Sequence, residues 1–159
     1  MNGKSNRTSA TKSRRKDKPV DLNTARRMLP LVSRIAADIV QDSKALDRFR
    51  FELNGLDREK THLSWPERER RYAVQGEVDR LQKTLEEQKK ELDLIGAVLV
   101  NPIAGQVDFP TLVNGRPAYF SWQIGDKSVE YWHFDDEEAR RPIPPNWSDS
   151  STPRPVRVR

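Results

Sequence analysis

Residues 74 to 100 read VQGEVDRLQKTLEEQKKELDLIGAVLV, and up to Ile95 the apolar side chains recur at alternating steps of four and three. Val74, Val78, Leu81, Leu85, Leu92 and Ile95 make one stripe with Gln88 in its remaining position, while Arg80, Lys83, Glu86, Glu87, Lys89 and Lys90 fall off it. Residues seven apart share a helix face, so this heptad seam predicts a helix that buries one narrow stripe against a partner helix, in the manner of a coiled coil. At Gly96 the pattern changes to period two, and a sheet is expected to follow.

Upstream, Ser64, Pro66 and Glu67 have the spacing of a capping box with proline in the first turn, which sets the start of this helix. Before it, Ala25, Met28, Leu29, Val32, Ile35, Ala36, Ile39, Leu46, Phe49 and Leu53 repeat at helical steps behind a candidate N-cap, Asp21. Pro30 falls within that pattern and predicts a kink, and Asn54-Gly55 is expected to end the helix with a left-handed cap. The polar link GLDREKTHL turns the two rods back on each other as an antiparallel hairpin. Asp42 and Ser43 interrupt the first stripe as Gln88 interrupts the second, which predicts a polar layer that fixes register.

Downstream, AVLV, QVDFPTLV, RPAYFSWQI and VEYWHF read as strands, separated by NPIAG, the hairpin dipeptide Asn114-Gly115, and GDKS. A meander this small cannot bury an aromatic face by itself, so it is expected to close on the base of the hairpin. The fold expected is therefore α+β: a long antiparallel two-helix coiled-coil hairpin over residues 20–96, then a three- to four-stranded antiparallel β-meander over 97–143.

Composition agrees with a thin core, because apolar residues make up 35% of the 159 and charged residues 33%. The formal charge of +5 is unevenly placed. Residues 1–18 hold Lys4, Arg7, Lys12, Arg14, Arg15, Lys16 and Lys18 against Asp17, a net of +6, whereas residues 19–148 carry 19 basic and 22 acidic side chains. Residues 1–19 thus read as a disordered basic tail and 144–159 as a disordered Pro/Arg tail. Arg14, Arg15, Lys16 and Lys18 are the candidate nucleic-acid contacts of the first. No apolar run reaches the ~20 residues of a membrane span and no secretory leader is evident, so a soluble cytoplasmic protein is expected.

Chemistry is sparse. The chain has no cysteine, its seven glycines are scattered without a phosphate-cradling spacing, and no glycine-flanked serine marks a nucleophile elbow. A metal or acid/base site could draw only on His133, Asp108, Asp135, Asp136 and Glu137, and the run of acids reads more simply as a solvated turn. No cofactor and no metal is expected. What remains is a candidate binding surface of Trp132, His133, Asp108, Arg116 and Arg141, set against a plainer reading in which Trp122 and Trp132 are core, His133 bonds Asp108, and Arg141 pairs with local acids.

The order of these features also resembles a bacterial family known as domain of unknown function 2203. The likeness is carried by Asp21, Leu22, Met28, Leu29 and Pro30; by Gly105, Val107, Asp108, Phe109 and Pro110; by Gly115, Trp122 and Gly125; and by Tyr131, Trp132, His133, Arg141 and Pro142. It spans roughly residues 20–143. The chain departs from the family after the Trp-His pair, where FDDEEA replaces a loop containing glycine and an aromatic. The resemblance implies architecture and no activity. The functional expectation is an interaction or scaffold module acting through the hairpin, with a protein partner or a second copy of itself. The alternative is a nucleic-acid- or ribosome-associated protein using its basic tails, and a metal-dependent enzyme centred on His133 comes third.

Overall fold

The computed structural model describes residues 18–147. Helix α1 spans Leu22–Arg58 and helix α2 spans Trp65–Leu94; strands β1 (Val98–Asn101), β2 (Gln106–Val113), β3 (Arg116–Gln123), β4 (Tyr131–Phe134) and β5 (Arg141–Pro142) follow. The strands form one open antiparallel sheet in sequence order.

Local chemistry sets the helix starts. Asp21 accepts the Thr24 amide at 2.7 Å, and that bond to an otherwise unpaired donor holds its carboxyl below the ordinary 3.8. At α2 the Ser64 amide donates to Glu67 at 2.6 Å within a capping box, and Glu67 is likewise lowered from its ordinary 4.5. The α2 helix ends where the Gly96 and Ala97 amides turn back to the Asp93 and Leu92 carbonyls. The first helix differs from expectation at its far end. It runs through Asn54 and Gly55 to Arg58, and in that extra turn Leu56 is half-buried and Asp57 pairs with Arg71 of α2 across the hairpin. Pro30 lies inside α1 without ending it.

At about 1.5 Å per residue, the 37 residues of α1 make a rod of about 55 Å. Only its first half meets the sheet. Val32, Ile35, Ala36 and Ile39 join Leu92 of α2 and the inner sheet face, namely Val107, Phe109, Phe120, Trp122 and Trp132, in one core. Beyond them a second cluster of Leu46, Val74, Val78 and Leu81 belongs to the helices alone. Gln88 donates to Asp42 at 2.8 Å between the two, with Ser43 buried nearby, so the expected polar layer is present.

In the sheet, β2 and β3 pair in unbroken register from Gln106↔Gln123 to Val113↔Arg116. They are joined by Asn114 (φ 52°) and Gly115 (φ 75°), the two left-handed residues that a twisted two-residue hairpin requires. Gly105 is needed for room as well as for its φ of 66°, since a methyl there would stand 2.6 Å from Ile124 Cδ1 and 3.0 Å from Val40 Cγ2. The fifth strand was not expected: Arg141 and Pro142 pair with Trp132 and Tyr131. Past residue 143, Pro145–Trp147 form a 3-10 turn that lays Trp147 5.1 Å from the Trp132 ring.

Candidate functional site

The pleat of β4 divides the surface residues singled out from sequence. Trp132 faces the core and His133 the opposite side of the sheet. Around Trp132, the Phe134 ring meets it edge-on at 4.9 Å, the Arg116 guanidinium lies 4.0 Å over Phe134, and Arg141 lies 5.2 Å over Trp132. Each arginine is also neutralised: Arg116 by Asp136 at 3.0 Å and Arg141 by Glu137. Both guanidiniums remain exposed, so this end of the sheet presents planar cations stacked on aromatic rings.

On the other face, His133 Nε2 lies 2.6 Å from Asp108 Oδ2. Asp108 is on β2 and His133 on β4, which are not neighbours. Asp108 stands opposite Ser121 and His133 opposite Tyr119, so the bond crosses β3 between those two residues. Ser121, beside the bridge, is fully buried and accepts a hydrogen bond from Gln106 at 3.2 Å. Tyr119 stacks on the imidazole at 5.5 Å. His133 Nδ1 faces the Phe134 carbonyl at 2.7 Å, so both ring nitrogens meet acceptors and both bonds form together only when the histidine-aspartate pair holds two exchangeable protons. Asp108 Oδ1 is buried with no hydrogen-bond partner among the described residues.

Histidine oriented by a carboxylate is the arrangement used for general bases, but here the pair is 3% and 7% exposed and presents almost no surface to a substrate. Asp136 and Glu137 are engaged by arginines away from it. Among the described residues no three His, Asp or Glu side chains converge to hold a metal. Of the basic residues assigned to the tail, Lys18 is exposed, and Arg14, Arg15 and Lys16 lie outside the described residues.

Two features escaped sequence reasoning. One is the Arg140–Asp126 ion pair at 2.8 Å, which with the Trp122 Nε1 bond to the Asp126 carbonyl at 3.1 Å pins the loop before β4. The other is the hairpin tip, where Phe51, Trp65 and Tyr72 are 84%, 70% and 75% exposed. The heptad register held a signal for them, since all three fall opposite the buried seam, where a solvated helix ordinarily places charge.

No helix among the described residues is long and apolar enough to cross a membrane. Comparison with curated proteins and with solved structures gives no match. The family model described as "Uncharacterized conserved protein (DUF2203)" matches residues 18–143, which takes in both helices and all five strands. Its span joins the helical hairpin to the Asp108–His133 bridge and the Arg141-Pro142 strand, and the chain belongs to the DUF2203 family.

Proposed function

We propose that the protein is an interaction module whose helical hairpin engages a protein partner through its far end. The observation that carries this is the pairing of a self-sufficient distal core, Leu46, Val74, Val78 and Leu81, with three large aromatics turned outward beside it. A thin-cored chain gains nothing for its own folding by exposing rings that bury 150–250 Å² each on contact, whereas such residues dominate binding energy when a partner covers them. The Arg116–Phe134 and Arg141–Trp132 stacks offer a second contact area at the opposite end of the molecule. His133 and Asp108 serve this reading as a bridge that braces the sheet, with no part in chemistry.

The test is photo-cross-linking in living cells, with a benzophenone amino acid placed at Phe51 or Tyr72 and, as control, at exposed Lys89. The proposal expects discrete protein adducts from the two tip positions and none from the control. Equal yields from all three, or none from any, would refute it.

A further inference from the structure

The outer face of α2 is complementary to itself. Trp65, Tyr72, Gly76 and Lys83 share the face opposite the seam, at steps of seven, four and seven residues, and all four are exposed. Glu69 and Arg80 flank that stripe on one side, and Arg68 and Asp79 flank it on the other. Gly76 has no internal justification: nothing lies within 4 Å of a methyl added there, and glycine inside a helix is unfavourable relative to alanine. A helix surface kept bare at such a point admits close approach by another chain.

We propose that this face pairs with the same face of a second copy, the two α2 helices running antiparallel about a twofold axis near Val74. A twofold contact brings residue i of one copy to residue j of the other, and j to i. Centred on Val74, it sets Tyr72 over Gly76 and Trp65 against the Lys83 ammonium. A twofold axis perpendicular to the helices keeps each flank facing its own counterpart, so Glu69 meets Arg80 and Arg68 meets Asp79. Each flanking charge thus meets its opposite, while the parallel arrangement would stack the two Lys83 ammonium groups on each other. Arg80 and Asp79 already bond Glu77 and Gln75 along their own helix, but these are surface contacts that exchange at little cost.

Two aromatic rings supply on the order of 300 Å² per copy. That is well short of the ~800 Å² per partner of a standard interface, which places the contact among weak, transient associations. The inference rests on the interaction reading above and names its partner.

Sedimentation equilibrium of the full chain, up to near-millimolar concentration, decides it. The wild type is expected to dimerise reversibly. Glu69→Arg or Arg80→Glu alone should weaken the dimer about tenfold, because each change spoils two symmetric contacts, and the two changes together should restore it. Gly76→Leu should abolish the dimer while raising the thermal midpoint of the monomer, so its effect cannot be blamed on misfolding. A wild type that stays monomeric throughout, or a double reversal no better than either single, overturns the proposal. Cross-links from Tyr72 exclusively to other proteins would also overturn it while leaving the interaction reading in place; absence of any cross-link would remove both.

Discussion

Asp108 and His133 show how two residues on non-adjacent strands can act as one part. Removing either leaves the other buried without its partner. His133→Ala and Asp108→Ala are each expected to cost about 3 kcal/mol in urea unfolding, and the double variant should lose clearly less than the sum. Additive losses would show that the two side chains act separately. Gly105→Ala should cost about 1–2 kcal/mol, from its left-handed backbone and from the crowding against Ile124 and Val40. The histidine-aspartate contact was one of two readings available in the sequence, because strand parity places both on one face once register is known. The Asn114-Gly115 turn supplied that register. The clamp of Arg116 and Arg141 over Phe134 and Trp132 was not legible, since it depends on where the loop after β4 returns the chain.

The two helices were read from periodicity, and their starts from caps that local chemistry enforces. Their ends were harder: Gly55 has the composition of a stop, yet the helix continues past it to Arg58, where Asp57 pairs with Arg71 of α2. No local pattern encodes a contact made across the hairpin. The caps carry a pH dependence of definite sign. Asp21, Glu67 and Glu52 all have lowered folded-state values, through bonds to the Thr24 amide, the Ser64 amide and the Arg70 guanidinium respectively. The folded protein therefore binds fewer protons than the unfolded chain as these groups titrate. Their stabilisation is complete above the ordinary carboxylate values and is lost as pH falls through the lowered ones, so the thermal midpoint should drop on acidification below about pH 4. A midpoint that held or rose there would contradict the cap assignments. At the polar layer, Gln88→Leu alone should destabilise by about 1–2 kcal/mol, because Asp42 loses its bond while half-buried, and adding Asp42→Leu should recover the loss or more.

At the scale of the whole molecule, the separation of two cores leaves the far end of the hairpin uncovered by the sheet. The sheet anchors the first half of the hairpin, and the second half holds itself together with a few aliphatic side chains. Heptad spacing foretold the rods, and the shift at Gly96 foretold the sheet. The small size of the meander pointed to the base of the hairpin as its place, but the residue at which the cover stops was not legible, because the seam looks alike where it meets strands and where it meets only the other helix. The fifth strand, two residues long, carries no periodicity to read. Phe51, Trp65 and Tyr72 acquire meaning only once the distal half is seen to stand without cover. The most direct test of their role is equilibrium urea unfolding of the triple variant Phe51→Ser, Trp65→Ser, Tyr72→Ser. Exposed side chains that serve contact should leave the unfolding free energy within about 1 kcal/mol of wild type with an unchanged slope. A loss of several kcal/mol would mean that the aromatics hold the hairpin together, and the account of its tip as a binding end would be wrong.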